Sequence, residues 1–468
     1  MNTPEGYVPL SELLQLQQEN KMLKALLVEA LARIEELEAR LNQSSNNSSK
    51  PPSSDGLKKT IKNNREKTAR KPGAQPGHQG SGLTPFTSVD KEVKRALAGQ
   101  CECGADLTKQ PVINTEKRQV IDLPEKLFEV VEYLVEVKRC MCGKTHKAEL
   151  EYEQRVQYGK RFKALLVYMN VQQQIPYDRL QEFTRDIIGL TVSDGLIQSA
   201  LQACSQHLDK PIEQIKEALL ESSVAHADET GVRCEGKTNW LHNLSNRLYT
   251  FYFFHVKRGK EAMDTMGILP DYKGTLVHDR WASYDQYDCK HALCNAHLLR
   301  DLKFLHEEMN RQWAAELKVI LQQANERKNA ENITKHYQTR IRNQIEHLVC
   351  MALRKEPKEK HQAGKRGKKP QSKAIRLLEV FRNRLDQVLM FLYNEDVPFD
   401  NNRAERDIRM MKLKQKISGC FRSTKGIETF CKVRSYISTV KKQNKNVWQA
   451  ITVAIQGNPF DLLVVSEQ

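Results

Sequence analysis

Apolar residues recur every three or four positions over residues 10–42. The steps of three and four alternate without a break through Leu13, Leu16, Asn20, Leu23, Leu27, Ala30, Ile34, Leu37 and Leu41. Four heptads of this kind predict a coiled coil, and one Asn at an a position is typical of a parallel two-stranded register. We therefore expect a homodimer through residues 10–42. The alternative is one amphipathic helix packed on its own protein.

Residues 43–85 contain almost no apolar side chains. A Ser/Asn-rich stretch gives way to a basic one and then to KPGAQPGHQG. This composition cannot bury a core, so we predict a disordered basic linker. The linker either only connects its neighbours or also follows DNA phosphates.

Residues 86–155 alternate between polar and apolar positions and carry two tight cysteine pairs. Cys101 and Cys103 precede a glycine, as do Cys140 and Cys142, and the residues between the pairs predict strands. Four thiolates are typical ligands of a structural Zn²⁺, so we predict a zinc-ribbon-like β module. The C-x-C spacing is tighter than the usual C-x-x-C. The alternative is a β module whose thiols bind no metal.

Helical periodicity fills residues 156–215. RFKALLVYMNVQQQ is amphipathic, and RLQEFTRDIIG and LIQSALQACSQHL follow it, separated by LTVSDG. Two short helices joined by a turn with glycine, with Ser193 or Asp194 as the second N-cap, predict a helix-turn-helix-like segment. A generic helical hairpin is the alternative.

The period changes from helical to strand-like in residues 216–300. SSVAHADETGVRC, TNWLHNLSN and RLYTFYFFHVK predict three consecutive strands, GKEAMDTMGIL a helix, and GTLVHDRWASY and KHALCNAH two further strands. This order is typical of the ribonuclease H-like α/β fold, in which the first and fourth strands are neighbours. We expect residues 396–445 to complete this domain around a helical insertion, 301–395, with a basic loop at 365–373. Residues 446–468 are a predicted C-terminal tail, which makes the chain a multi-domain α+β protein.

The net charge of the chain indicates which kind of partner it binds. The 468 residues carry a net charge of +16, which favours a polyanionic partner, most often nucleic acid. No apolar run is long enough to span a membrane, and MNTPEGYVPL is not a signal peptide. We therefore expect a soluble, cytoplasmic protein associated with the nucleoid.

Three carboxylates are candidates for a shared metal site. Asp228 and Asp279 end the first and fourth predicted strands, which would bring them together, and Glu405 lies on a late helix expected to pack over that edge. Oxygen ligands of this kind suit two Mg²⁺ or Mn²⁺ ions. Such ions activate a water or a sugar 3′-hydroxyl and stabilise the leaving oxygen of a phosphodiester.

Other polar residues near this site are expected to play lesser parts. Neighbouring acids are expected to stay outside the metal site, including Glu229, which alternation places on the opposite side of its strand; they are Glu229, Asp285, Asp288, Asp301, Asp400 and Asp407. Cys289, His291, Cys294 and His297 have a spacing that would also suit zinc. The preferred interpretation is that Cys294 and His297 support the active site.

The helix that holds Glu405 is otherwise basic. Arg403, Arg406 and Arg409 recur every three residues and share roughly one face. Lys412, Lys414 and Lys416 extend the positive charge. We predict that these six side chains contact DNA phosphates; the alternative is a salt-bridged surface helix.

Together, HADET, HDRWASY, CNAHLLRDL and DNNRAERDIRMMKLKQKISGCFRS resemble the transposases of the insertion sequence 66 family. The similarity covers nearly the whole chain. It implies a DDE-type enzyme that uses Asp228, Asp279 and Glu405 to cut DNA at terminal inverted repeats and to join the ends to target DNA. It also implies small companion proteins encoded by the same element. The alternatives are a structure-selective metal-dependent nuclease and a non-catalytic DNA-binding regulator.

Overall fold

The computed structural model describes residues 10–43, 83–152, 154–330, 333–357 and 371–463. Contacts divide the chain into two compact units, one made of residues 1–60 and 152–468 and the other of residues 61–151. Most of the predicted linker at 43–85 and of the basic loop at 365–373 lies outside the described residues.

The described residues form fifteen α-helices and seven strands. The helices that precede the second half of the sheet are α1 (Leu10–Leu41), α2 (Lys160–Val167), α3 (Tyr177–Phe183), α4 (Asp194–Gln206), α5 (Asp209–Leu220) and α6 (Lys260–Met266). The later helices are α7 (Asn295–Glu307), α8 (Gln312–Ala330), α9 (Lys335–Lys355), α10 (Lys373–Asn383), α11 (Leu385–Val388), α12 (Met390–Tyr393), α13 (Asn402–Ser418), α14 (Thr424–Lys442) and α15 (Val447–Ile455). The strands are β1 (Val137–Arg139), β2 (Thr145–Lys147), β3 (Val224–Cys234), β4 (Lys237–Ser245), β5 (Thr250–His255), β6 (Thr275–His278) and β7 (Lys290–Leu293).

The five later strands form one mixed sheet in the order β5-β4-β3-β6-β7. The first three are joined as an antiparallel meander, and β6 and β7 add to β3 in parallel. The prediction that the first and fourth strands of this sheet, β3 and β6, are neighbours is therefore confirmed. The parallel additions need crossovers, and α6 provides the one between β5 and β6.

One hydrophobic core joins this sheet to helices that precede it and to helices that follow it in the sequence. Buried residues of α2, α4 and α5, of β3–β5 and of α14 and α15 belong to a single cluster. The helical segment predicted at 156–215 and the tail predicted at 446–468 therefore share the core of the sheet and do not form units of their own. Their apolar faces need a partner, and the sheet provides it.

The helices between β7 and α13 have a second core. Buried residues of α7–α12 cluster with Val277, Ala292 and Leu293 at the β6–β7 edge of the sheet. The helices of the predicted insertion therefore pack around a core that they share with the β6–β7 side of the sheet. Its first helix, α7, begins at Asn295, a few residues before the predicted boundary.

The turn between α3 and α4 has the predicted N-cap. Gly189 ends the preceding helical turn with a positive φ of 83°, and the Ser193 hydroxyl accepts a hydrogen bond from the N–H of Leu196 at 3.2 Å. Ser193, rather than Asp194, is therefore the cap. Buried Ile197, Ala200 and Cys204 hold α4 against its neighbours.

The unit of residues 61–151 has fewer strands than its sequence pattern predicts. Among its described residues, β1 and β2 pair around the second cysteine pair, and an isolated bridge between Gln100 and Asp106 encloses the first, so neither links the two pairs. Residues 111–136 form no strand, and side chains such as Ile113 and Leu134 are exposed. The prediction of strands across 112–136 is wrong for this structure, because an alternating segment becomes a strand only when another strand pairs with it.

The helix predicted in the coiled-coil segment is present as α1, which is continuous over 32 residues. Its heptad positions are exposed: Leu23 is 63% and Leu27 59% accessible. These leucines are not buried against the chain itself, which leaves the alternative of a helix packed on its own protein without support. In the described part of the chain, no helix is long and apolar enough to cross a membrane.

Candidate active site

The two aspartates lie at the point where parallel pairing between β3 and β6 ends. The last pair in that ladder is His226 with Val277, so Asp228 and Asp279 each follow it by two residues. Asp279 directly follows β6, as predicted. Asp228 was expected at the end of its strand, but β3 continues to Cys234, paired with β4. The reason is that β3 has two partners of different length, and only the parallel one stops here.

The Asp228 carboxyl is crowded by other acids. Burial raises its pKa well above the usual range, and the charges of Glu229, Asp279 and Glu405 raise it further. It accepts a hydrogen bond from the N–H of Glu229 at 2.9 Å, which favours the charged form. The Asp279 carboxylate accepts a hydrogen bond from the N–H of Trp281 at 2.9 Å. Asp279 and Glu405 therefore both lie close enough to Asp228 for their charges to act on it.

Asn401 places Glu405 beside these aspartates. Its side-chain amide donates to the carbonyl of Ala227 at 2.8 Å, and its amide oxygen lies 2.9 Å from the Nδ1 of His226. Its own carbonyl accepts the N–H of Glu405 at 3.2 Å in the first turn of α13. One buried side chain thus joins the start of α13 to β3 directly before Asp228. Sequence reasoning missed Asn401; the only signal was its position just before the helix.

Cys294 and His297 lie on the other side of Glu405. The Cys294 thiol accepts the N–H of Asn401 at 3.2 Å, and burial raises its pKa to about 12, so it stays a thiol. His297 Nδ1 is 3.8 Å from a Glu405 carboxylate oxygen. Ligand atoms of Cys294, His297 and Glu405 all lie within 4.8 Å of one another. Both residues therefore contact the chain around Glu405, Cys294 through the backbone of Asn401 and His297 through the Glu405 carboxylate, and their support of an active site stays a prediction.

The donors at this site fit a hard divalent cation. The buried oxygen Oε1 of Glu405 has no hydrogen-bond partner, and neither does the buried Nδ1 of His297. An unpartnered buried carboxylate oxygen is costly, and the crowding of Asp228 by Asp279 and Glu405 adds like-charge repulsion. A cation held near these carboxylates would remove both costs, and carboxylate oxygens are the ligands that Mg²⁺ and Mn²⁺ prefer.

Glu229 lies closer to this centre than strand alternation predicts. Its side chain is only 2% exposed, and it accepts hydrogen bonds from Arg258 at 2.6 Å and from the Tyr284 hydroxyl at 2.6 Å. Arg258 lies over the rings of Trp240 and Trp281. The loop that follows Asp279 folds back over this face of the sheet and brings Tyr284 with it. Alternation predicts the face of a strand, but it does not predict which loop covers that face.

The other acids that we expect to stay outside the metal site have partners away from the three carboxylates. Asp407 pairs with Lys442 at 2.7 Å, Asp288 with Lys273 at 2.9 Å, and Asp301 with Lys373 at 3.0 Å. Asp301 also pairs with Arg280, which follows Asp279 directly. Asp301, on α7, thus links the loop after β6 to the start of α10 through these two ion pairs. Asp400 accepts hydrogen bonds from Asn402 just before α13.

One of the six basic residues predicted to contact DNA from α13 is buried. Arg406, Arg409, Lys412 and Lys416 are exposed and Arg403 is half-buried. Lys412 also donates to the carbonyl of Gly231 at 3.2 Å, and its charge faces Asp228. Lys414 is 7% exposed and lies 5.7 Å from the centre of the Phe430 ring. As placed, Lys414 does not contact a DNA phosphate, because the helix turns it towards α14.

Replacing Lys414 with Met is expected to stabilise the protein at pH 7 by about 2–3 kcal/mol. Burial lowers the pKa of Lys414 from 10.5 to about 8, so at pH 7 the folded state carries a buried charge that the unfolded state keeps in water. Between pH 8 and the unfolded pKa, the unfolded state binds more protons, so wild-type stability rises with pH in that window. Denaturant unfolding should show that Lys414→Met raises the unfolding free energy by less at pH 10 than at pH 7. A less stable Lys414→Met protein at pH 7 would contradict this placement.

The two cysteine pairs form matching turns. Gly104 and Gly143 have φ of 82° and 85° and donate their N–H groups to the carbonyls of Cys101 and Cys140, both at 2.8 Å. Hydrogen bonds from Cys103 and Cys142 lower the pKa of the Cys101 and Cys140 thiols. Within the described residues, no group of three or more clustered ligands includes these cysteines. The structure therefore forms both halves of the predicted zinc site but does not bring them together.

The strand order defines a class of protein with a mixed α/β sheet, in which Asp228 and Asp279 follow the last parallel pair of β3 and β6. The family model described as the transposase IS66 family matches residues 155–429, which is more than half of the chain. The chain belongs to the IS66 family of transposases. A family of unknown function matches residues 4–84. Comparison with curated proteins gives no match.

Proposed function

We propose that this protein is a DDE transposase with a ribonuclease H-like catalytic core. It would cut DNA at the terminal inverted repeats of its element and transfer the ends to target DNA. The observation that carries the proposal is that the buried Asp228 carboxyl feels the charges of both Asp279 and Glu405, which add to burial in raising its pKa. The three acids come from β3, from the end of β6 and from α13, and 177 residues of sequence separate the first from the last.

In this proposal the three carboxylates hold two Mg²⁺ or Mn²⁺ ions. The ions, when bound, activate the attacking hydroxyl and stabilise the leaving oxygen of the phosphodiester. Asn401 and Cys294 hold α13 so that Glu405 stays on the metal side. The N–H of Trp281 orients the Asp279 carboxylate. Lys412, whose charge faces Asp228, is placed to attract a DNA phosphate towards the acids.

A cleavage assay with the full chain tests this function. Duplex DNA carrying the terminal inverted repeat of the element, with Mg²⁺, should yield nicked strands and products joined to a target duplex. A duplex of the same composition with a shuffled repeat is the matched control. Hydrolysis without joining and without preference for the repeat would favour the nuclease. Specific binding with no metal-dependent cleavage would favour the regulator.

We infer that the exposed cations of α13 bind the DNA backbone. Arg409→Ala should lower DNA affinity about fivefold at moderate salt, because one phosphate contact is lost, and should reduce the slope of log affinity against log salt by about 0.9. Lys414→Met is the matched control on the same helix, since its side chain is buried. Fluorescence anisotropy at several salt concentrations measures the DNA affinity and its salt dependence for both variants. Equal losses in the two variants would contradict a surface formed by the exposed residues.

We also propose that α1 dimerises as a parallel coiled coil. Its heptad leucines are exposed in the single chain and its one a-position Asn would fix the register. Leu23→Asp should raise the dimer dissociation constant at least about 100-fold, because it places a charge in the apolar seam. Ala25→Asp adds the same charge at an outer heptad position. Analytical ultracentrifugation should show a monomer for the first variant and a dimer for the second; two dimers would contradict the proposal.

We propose zinc binding by the four cysteines of residues 101–142 from the geometry of their two turns. Each cysteine pair forms a turn with its thiols close together, as ligand pairs of a structural Zn²⁺ do. Zinc would be the component that joins the two turns, since metal binding and folding are coupled in small modules of this kind.

A further inference from the structure

A second group of metal-ligand side chains lies next to Asp279. Ligand atoms of His278, Asp285 and His291 all lie within 4.8 Å of one another. His278 is the last residue of β6, and His291 on β7 is paired with Leu276, two residues earlier. Because side chains alternate along a strand, His278 and His291 lie on the same face of the sheet. Asp285 comes from the short turn Tyr284–Gln286 that covers this face.

The hydrogen bonds of the two imidazoles determine which nitrogens carry a proton. Nδ1 of His278 lies against the carbonyl oxygen of Asp279, and Nε2 of His291 lies 3.1 Å from the carbonyl oxygen of Tyr287. A carbonyl oxygen only accepts, so both of these nitrogens must be N–H donors. In a neutral ring the other nitrogen then has a free lone pair. These two lone pairs, on His278 Nε2 and His291 Nδ1, face each other at 3.1 Å.

Two facing lone pairs need a cation between them. Metal-bound histidines usually donate their second ring N–H to a carbonyl or carboxylate, which is the pattern that both rings show here. The third group, Asp285, adds a negative charge, and Arg384 holds it in place through a hydrogen bond of 2.5 Å. The arrangement therefore has two nitrogen ligands, one oxygen ligand and the outer hydrogen bonds of a metal site.

We propose that His278, His291 and Asp285 bind a transition-metal cation, Zn²⁺ being the ion that best suits this donor set. Two imidazole nitrogens and one carboxylate oxygen are common zinc ligands, and water can complete a tetrahedral shell. Cys289 is not a ligand, because its sulfur lies at the opposite nitrogen of the His291 ring, at 3.9 Å. The cysteines and histidines of residues 289–297 thus separate into two groups. His291 belongs to this site, whereas Cys294 and His297 accompany Glu405.

The proposed ion would fix the loop that carries Asp279. It would join β6, β7 and the turn at Asp285, and Asp279 and Trp281 lie in the chain between two of its ligands. Arg384, at the start of α11, extends the connection to the helical insertion. The role assigned to this ion is to hold the loop in place, and the site does not depend on the three-carboxylate centre.

Zinc stoichiometry of the full chain tests the proposal. Chelator-treated protein is dialysed against Zn²⁺ and its metal content is measured by atomic emission, with affinity from calorimetry. His291→Ala should bind one equivalent fewer than wild type and should lose the rise in thermal midpoint that this equivalent gives. His255→Ala removes another half-buried imidazole, outside the group, and should keep the full content. Asp285→Asn, at an exposed position, should weaken this equivalent at least tenfold.

Two results separate this site from the others. Glu405→Gln should retain the His291-dependent equivalent, so failure of the proposed transposase activity would leave the zinc proposal standing. Equal metal content and equal affinity in wild type, His291→Ala and Asp285→Asn would overturn it, since the facing nitrogens would then share a proton. If His291→Ala does not fold, the comparison of wild type with Asp285→Asn decides by itself.

Discussion

Glu405→Gln is expected to lower DNA cleavage by on the order of 10³-fold or more, because it removes one of the three carboxylates proposed to hold the metal ions. The same change should not destabilise the metal-free protein. Glu405 carries a buried oxygen without a partner, and its charge raises the pKa of Asp228, so a neutral side chain relieves repulsion in the folded state. Cleavage of labelled repeat DNA and denaturant unfolding without metal measure the two quantities.

Asp407→Asn is the matched control on the same helix and should give the opposite pair of results. Asp407 pairs with Lys442 at 2.7 Å, and both side chains are less than one-fifth exposed. Breaking the pair leaves a poorly solvated lysine charge and should cost about 2–4 kcal/mol of unfolding free energy. Cleavage at a temperature where the variant is folded should stay near the wild-type rate. Comparable cleavage by Glu405→Gln and wild type would remove Glu405 from the metal site.

Asn401→Ala should lower both stability and cleavage, because one side chain joins α13 to β3. Its loss leaves the carbonyl of Ala227 and the ring of His226 without their buried partner, which should cost about 2–4 kcal/mol. The first turn of α13 then no longer holds Glu405 in register with Asp228. We expect cleavage to fall about 100-fold, since displacement of a catalytic group by about 1 Å has effects of that size.

A measurement of metal affinity distinguishes positioning from a general loss of fold. Asn401→Ala should bind Mn²⁺ more weakly than wild type even at temperatures where both are fully folded, because Glu405 has moved. Asn402→Ala removes an exposed side chain that donates to Asp400, and it leaves the backbone contacts in place, so it should keep wild-type stability, metal affinity and cleavage. Unchanged Mn²⁺ affinity in folded Asn401→Ala would show that Asn401 stabilises the fold without positioning Glu405.

Local patterns in the sequence were sufficient for the elements of the sheet and for the order of the acids along it. The alternation in residues 224–255 predicts three strands, and the short helix that follows shows that the next strand returns to the first. Strand order alone therefore predicts that Asp228 and Asp279 follow neighbouring strands. The heptads of α1 predicted one long helix for the same reason, since periodicity is a property of neighbouring residues.

Pairing over long distances decided what local patterns could not. The strands expected across 112–136 are missing because a strand needs a partner, and the pattern of one segment does not show whether that partner exists. Lys414 belonged to a basic helix by sequence, yet packing against α14 buries it. In both cases the outcome depends on a surface that is far away in the chain.

The sequence by itself determined the family and the strands at whose pairing Asp228 and Asp279 lie, because these depend on residue type and on short-range order. Only the tertiary structure decided that Asn401 holds Glu405 beside Asp228 and that Glu229 borders the site. It also decided that His278 and His291 face each other while Cys294 and His297 accompany Glu405. The physical reason is that each contact joins segments whose separation is set by the packing of whole helices and strands, and no spacing within one segment encodes that packing.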